Sequence, residues 1–247
     1  MFNLLKYWLF LCLLPFNAAH ADSEIQQRLL QADSYRLQSR SAKVVTIVSQ
    51  YKHQQRTKQH RYHVYIRPEQ KSLVVFKASA ERGQKLLMLG DKYWLLMPNS
   101  RRPIRITPMQ KLLGEASVGD ISTLTWSESY RGKIGDSAEL NGKPAIKLQL
   151  QAKTSGATYQ KIELWVEQAN NFPLQADLYL RSGKLAKQAY FSAGQRDGRI
   201  VVQSMTLIDS IQSYKSTQID YQSVTDYRLA DKYYNPAYLS QQSLDQL

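Results

Sequence analysis

The histidines of this chain are the first residues whose types could bind a metal or move a proton. Three of the four, His53, His60 and His63, follow residue 21. His60 and His63 are three residues apart in a segment that alternates like a strand, so their side chains are expected on opposite faces. A metal pair needs both ligands on one face, and no cysteine or clustered carboxylate accompanies them. We therefore predict no metal site.

One serine–lysine pair could suggest a nucleophile. Ser49 and Lys52 match the pattern Ser-x-x-Lys of acyl-transferring enzymes, in which a helix places both side chains on one face. Here the pair ends a strand-like run, residues 44–51, which separates them. The chain also lacks a nucleophile elbow and a glycine-rich phosphate loop. We predict no enzyme and no cofactor; a carboxylate pair that only the fold assembles stays an open alternative.

The densest basic cluster is formed by Arg101, Arg102 and Arg105. Guanidinium groups bind phosphate and carboxylate groups through paired hydrogen bonds, so the cluster could contact lipid headgroups or an acidic docking partner. Equally, it could be a solvated loop and strand edge, where charge discourages edge pairing. Both interpretations remain open.

The N-terminus has the features of a secretory signal peptide. Lys6 lies near the start of an apolar run from Leu4 to Phe16, which is too short to cross a bilayer. Ala19-His20-Ala21 follows with the spacing that signal peptidase recognises. We predict cleavage after Ala21 and a periplasmic protein; an uncleaved anchor is the alternative. A lipoprotein signal at Cys12 is disfavoured, because Leu11 before it is not a small residue.

Cleavage would leave residues 22–247, which we interpret as one domain. It would remove one lysine, so the net charge would fall from +13 to +12, and it would remove Cys12, the only cysteine. Stability would then come from burial rather than from disulfides. Outside the cytoplasm nucleic acid is not an expected partner, whereas anionic headgroups and acidic envelope proteins are. The alternative is that the positive charge only aids solubility.

Apolar spacing predicts one helix followed by strands. The helix runs from Asp22 to about Arg40, with apolar residues on one stripe. Alternation then predicts strands near residues 44–51, 62–67, 73–77, 93–97, 146–151, 161–167, 174–181, 185–193, 199–208 and 216–224. A short helix is predicted from Pro108 to Gly114, then a loop to Trp126, and a second amphipathic element near Lys232–Leu239.

These few helices cannot obviously cover a sheet of some ten strands. The fold class we predict is therefore mainly β, with an antiparallel sheet that curls on itself or lines a cavity with part of its apolar face. The cavity is the main physical argument for binding an apolar ligand.

Three stretches of sequence resemble a known family. They run from Leu89 to Pro98, from Arg101 to Ile106 and from Gly114 to Ile121, in the order aromatic strand, arginine-rich strand and glycine–aspartate segment. The chain resembles the LolA-like outer-membrane lipoprotein-sorting proteins, in particular a branch associated with envelope transporters. The resemblance implies an incomplete antiparallel β-barrel with a helical lid over an apolar cavity. It also implies a non-enzymatic carrier that takes a lipidated protein or lipid towards the outer membrane.

From this we hypothesise which residues contact acyl chains. The cavity would be lined by inward residues of the central strands: Tyr62, Val64, Ile66, Val74, Phe76, Leu95 and Met97. Met109, Leu112 and Leu113 would form a movable lid, since methionine suits a site that repacks. Which sheet face lines the cavity is a choice, because the early strands are apolar on both faces.

The predicted partners are the acyl chains of lipids or lipoproteins, with an inner-membrane transporter as a further candidate, and we expect a monomer. One alternative is a lipid- or lipoprotein-sensing adaptor, or a periplasmic accessory subunit of a transporter. Another is a lipid hydrolase, for which no nucleophile–base pair is visible.

Overall fold

A computed structural model describes residues 16–212 and 214–242. Helix α1 spans Phe16–Ser34, so it begins before the predicted cleavage point, while residues 1–15 of the predicted signal lie outside the described part. The helix ends six residues earlier than expected. Just beyond it, the Ser39 hydroxyl donates to the carbonyl of Ser41 and accepts from its N–H, a local arrangement that competes with helix. Among the described residues no helix has the length and hydropathy to span a membrane.

Fifteen strands form in the described part of the chain. They are β1 Ala42–Lys52, β2 Gln55–Arg67, β3 Lys71–Phe76, β4 Lys85–Leu89, β5 Lys92–Leu96, β6 Ile104–Ile106, β7 Lys111–Leu113, β8 Ala116–Ser117, β9 Tyr130–Leu140, β10 Lys143–Ala152, β11 Lys161–Glu167, β12 Pro173–Tyr179, β13 Leu185–Arg196, β14 Arg199–Asp209 and β15 Lys215–Asp226. Helix α2 spans Val118–Ser122 and α3 spans Pro236–Leu239, with 3-10 turns at Ser79–Glu81 and Asp231–Tyr234.

Thirteen of these strands form one antiparallel sheet, in the order β6-β5-β4-β3-β2-β1-β15-β14-β13-β12-β11-β10-β9. Every neighbouring pair is also adjacent along the chain except β1 and β15, which join the two halves, with Val48 opposite Ile219. The sheet is curled, but β6 and β9 are not paired with each other, so it does not close into a barrel. This confirms the predicted mainly β, curled antiparallel fold.

The second half of the sheet buries one face, as its alternation predicts. Ile146, Leu148 and Leu150 of β10 are buried, and they lie opposite the buried Val166, Leu164 and Ile162 of β11. The residues between them are more exposed and, apart from Trp165, polar. The concave face of these strands is therefore apolar and their convex face is exposed to solvent.

The first half is apolar on both faces because both are covered. On β3, Val74 and Phe76 belong to the concave-face core, whereas Leu73 and Val75 belong to a second cluster on the convex side. The C-terminal segment covers that second cluster with Leu229, Tyr234 and Leu239. The amphipathic element predicted near residues 232–239 thus serves as a cap on the convex face.

The prediction of a helix from Pro108 to Gly114 is wrong. Residues 111–117 form a hairpin of β7 and β8, and Gly114 is its turn, with φ +56°. A Cβ there would lie 2.3 Å from the Thr217 hydroxyl, so glycine serves close approach as well as the turn. Seven residues are too few to hold a helix without tertiary support. The helix forms instead at α2, where Ser117 and Asp120 make a capping box, in a stretch predicted to be loop.

The convex cap generates the first testable prediction. Leu239 is fully buried in the second cluster, so Leu239→Ala should lower the free energy of unfolding by about 2–5 kcal/mol through lost burial and a residual cavity. Ile211 is 72% exposed, so Ile211→Ala should change it by less than about 0.5 kcal/mol. Urea denaturation measures both, and equal effects would contradict a packed C-terminal cap.

Candidate functional site

The concave face is closed by two elements. Helix α1 packs Ile25, Leu29 and Ala32 against it, and the cover segment (residues 107–129), which contains β7, β8 and α2, adds Val118 and Ile121. The result is a buried layer between the sheet and its cover. Because both elements also carry buried polar groups, the way these groups are satisfied determines how firmly the cover is held.

One buried ion pair attaches the cover segment to the sheet. Lys187 Nζ on β13 lies 2.8 Å from Asp120 Oδ2 on α2, and both side chains are almost fully buried. Ser117 Oγ donates to the same oxygen at 2.7 Å, and the Tyr159 hydroxyl donates to Oδ1 at 2.8 Å. Burial alone would raise the pKa of Asp120, but the Lys187 charge and these hydrogen bonds hold that pKa below its usual value. The carboxylate is thus ionised and fully bonded.

A second buried carboxylate attaches the cover segment to α1. Asp33 accepts hydrogen bonds from the backbone N–H of Trp126 at 2.7 Å and of Ser127 at 2.9 Å. Burial raises the pKa of Asp33 to about 6, although these hydrogen bonds and the Arg36 charge oppose the rise. This contact therefore holds the cover with a group that titrates near pH 6.

Two spaces adjoin this contact. A small, partly open cavity of about 50 Å³ lies between the cover segment and strands β11–β14, with an apolar wall that includes Ile162, Leu178 and Phe191. A groove of about 280 Å³ runs between α1, the β2–β3 turn and the cover segment, with Leu30, Leu37, Ile66, Met88 and Leu124 among its residues. Thr123 and Thr125 line both spaces, so the partition (residues 123–125) is what separates them.

Most of the hypothesised acyl-contact residues do not line the cavity or the groove. Tyr62, Val64, Val74 and Phe76 are buried together in the concave-face core, and of the seven only Ile66 lines the groove or the cavity. Leu95 lies opposite Leu86 on the same face and is half-buried, as is Met97 beyond the end of β5.

The hypothesised lid and docking residues also have defined places. Met109, Leu112 and Leu113 pack against the concave-face core, from the turn and hairpin rather than from a helix. Arg101, Arg102 and Arg105 are exposed near edge strand β6, and the Arg105 guanidinium lies 4.6 Å from the Trp94 ring centre. Whether these residues contact cargo or a partner stays a prediction.

Sequence reasoning missed the cavity wall and the residues that hold the cover. The wall comes from β11–β14, whose clean alternation marked an ordinary buried face. The buried carboxylates Asp33 and Asp120 stand singly in the sequence, and their partners Trp126, Ser127 and Lys187 are 67 to 94 residues away. The Ser117-x-x-Asp120 cap was the one local signal available.

The Asp120–Lys187 pair generates a second prediction. Lys187→Met leaves Asp120 buried without its cation, so the free energy of unfolding should fall by about 3–5 kcal/mol. Lys143, whose pair with Glu167 is half exposed, provides the matched control, and Lys143→Met should cost less than about 1 kcal/mol. Urea unfolding of the two variants distinguishes them; similar losses would show that the buried pair does not hold the cover.

The Asp33 contact generates a third prediction, on pH dependence. Because the folded state raises the pKa of Asp33, its contribution to stability is fully present below the unfolded value of 3.8 and is lost as pH rises through about 6. Relative to Asp33→Asn, the wild type should therefore lose stability between about pH 4 and pH 6, by about 3 kcal/mol at most. Urea midpoints across this range measure the difference. Asp136→Asn, at an exposed carboxylate, is the control, and parallel curves for wild type and Asp33→Asn would contradict the assignment.

Comparison with known proteins gives this geometry a family. A family model described as "Uncharacterized protein" matches residues 68–241. No curated protein matches the chain. Among solved structures, that of a LolA superfamily protein from Nitrosomonas europaea is similar at a TM-score of 0.79 and 27% identity, covering 85% of this chain and 97% of that one.

Two other solved structures share the fold. One is a DUF1329 family protein from Desulfovibrio piger and the other, from Vibrio parahaemolyticus, is described as an outer membrane lipoprotein-sorting protein domain. Each has a TM-score of 0.70 and 20% identity, and they cover 89% and 90% of this chain and 99% and 100% of their own. The chain therefore belongs to the family whose model matches residues 68–241, and its fold is that of the LolA superfamily.

Proposed function

We propose that this protein is a periplasmic carrier that binds the acyl chains of lipids or lipoproteins beneath its cover and moves them towards the outer membrane. The observation that carries the proposal is the apolar concave face. A cover held by polar contacts closes this face, and a groove of about 280 Å³ lies beside the cover. The likeness to a LolA superfamily protein and to a described lipoprotein-sorting domain supports it.

The physical need for such a carrier follows from hydration. Each buried CH₂ group is worth about 0.8 kcal/mol, so exposing a 16-carbon chain to water costs on the order of 12 kcal/mol. A carrier lowers this cost by offering apolar surface of its own. The task needs binding and release and no bond chemistry, so the protein acts without being an enzyme.

The cover must move for a chain to be enclosed. Ligand pockets usually measure about 300–1,000 Å³, whereas the cavity of about 50 Å³ has room for only a few water molecules. The groove alone is close to the lower end of that range. Displacing the partition (residues 123–125), whose Thr123 and Thr125 line both spaces, would join them.

The position of the holding contacts fits this movement. Asp33 bonds the backbone just after the partition, while the Asp120–Lys187 pair fixes α2 just before it. The partition can therefore move while the hairpin and α2 remain attached to the sheet. Met109, Leu112 and Leu113 retain their proposed role as part of the lid, and the exposed arginines near β6 could meet anionic headgroups or an acidic partner during transfer.

A fourth prediction tests acyl binding in the groove. Leu30 lines the groove and is 56% exposed, so Leu30→Asp should weaken binding of a fluorescent 16-carbon acyl probe about tenfold with little loss of stability, because one apolar side chain contact is replaced by a charge. Ile200, 54% exposed on β14 and outside the groove, gives the control Ile200→Asp, which should bind as the wild type does.

The probe experiment uses purified residues 22–247 and reads the shift in probe fluorescence on titration. No binding by the wild type would overturn the carrier proposal. Equal binding by the two variants would overturn the groove as the route. Native mass spectrometry of protein released gently from the periplasm weighs any bound lipid, and an empty protein crosslinked to a membrane partner would favour the adaptor instead.

A further inference from the structure

Arg36 is an unusual side chain for the interior it occupies. It lies two residues after the end of α1, is only 5% exposed, and lines the cavity of about 50 Å³. Its guanidinium carbon lies 4.5 Å from the ring centre of Trp126 and 5.9 Å from that of Phe191. The ring faces hold the planar group in place, but they satisfy few of its N–H donors.

The hydrogen bonds of Arg36 are incomplete. Nη2 lies 3.5 Å from both the Thr123 carbonyl and the Tyr221 hydroxyl, at the far limit for a hydrogen bond, and Nε has no partner although it is buried. A guanidinium has five N–H donors and keeps its charge, so leaving it buried and under-bonded is costly.

The neighbouring carboxylates do not fill this gap. Asp33 uses both its oxygens on the Trp126 and Ser127 N–H groups. Asp120, which also lines the cavity, is bonded by Lys187, Ser117 and Tyr159. Both acids are committed to holding the cover, and Arg36 is left with unused donors beside a cavity of about 50 Å³.

The size of that cavity suits a headgroup rather than a chain. A space of about 50 Å³ accommodates a few waters and hence a group the size of a carboxylate, but it is far too small for a 16-carbon tail. The groove, whose lining includes Leu30, Leu37 and Met88, begins on the other side of the partition, within reach of a tail that leaves the cavity.

We infer that Arg36 binds an oxyanion at the end of the cargo, so that the interior takes an acidic single-chain lipid with its head in the cavity and its tail in the groove. This inference rests on the proposed carrier function and narrows the cargo to a chain that ends in a carboxylate or a phosphate. Charge-assisted hydrogen bonds to such a group would complete the donors of Arg36 in a site where that side chain is only 5% exposed.

The test compares three ligands of one chain length, each kept below its micelle concentration at pH 8: hexadecanoate, hexadecyl phosphate and the neutral hexadecanol. Displacement of a neutral acyl probe from wild-type residues 22–247 measures their affinities. At least one of the two anions should bind about tenfold more tightly than the alcohol, because only an anion makes the charge-assisted bonds. Whichever anion shows the preference identifies the headgroup.

Arg36→Met should remove this preference and leave hexadecanol binding close to wild type. Arg199, exposed on β14 and outside both the cavity and the groove, provides the control for general attraction of anions, and Arg199→Met should keep the preference. Equal affinity of wild type for all three ligands, or a preference that persists in Arg36→Met, would overturn the inference. The wild-type comparison needs no variant, so a misfolded Arg36→Met leaves the test intact, and binding of none of the ligands would instead contradict the carrier function.

Discussion

An antiparallel sheet of 13 strands with an apolar concave face has to keep that face from water, and its two edge strands do not meet to do so. A closed barrel would bury the face by its own curvature. This sheet instead depends on elements that cross it, namely α1 and the cover segment on the concave side. The hydrophobic effect brings these elements down onto the sheet, and because it is non-directional it leaves their exact position to other forces.

Those other forces are buried polar contacts. Asp120 with Lys187, and Asp33 with two backbone N–H groups, each tie the cover to a different neighbour. Buried ion pairs often add little net stability, but they penalise arrangements in which a charge is left alone. They therefore define one closed position strongly while leaving the apolar contacts beneath them adaptable. A protein that encloses a flexible chain benefits when polar contacts define the closed position and apolar contacts adapt to the chain.

How far the sequence predicts this structure depends on the distance between interacting residues. Alternation along β10 and β11 predicted their strands and buried face, because a period of two is a local property. The apolar runs of β3 left its faces ambiguous, because the segment that covers the convex side comes some 155 residues later. The hairpin at Gly114 was predicted to be a helix, because proline and glycine are common both at the ends of helices and in the turns of hairpins. The contact with Thr217 distinguishes the hairpin from a helix. The cavity wall and Arg36 escaped prediction for the same reason: single residues far apart in sequence carry no spacing.

The pairing of β1 with β15 at the centre of the sheet has a consequence for how the chain folds. Each half is a succession of hairpins that can form locally as soon as its own residues are available. The seam between them joins residues 42–52 to residues 215–226, so one long edge of β1 stays open until almost the last strand has been synthesised. During that interval the nascent protein presents an unpaired, strongly apolar strand, which is the arrangement that invites intermolecular aggregation. A helper that shields this one edge would protect the newly made chain more effectively than one that acts on either half alone.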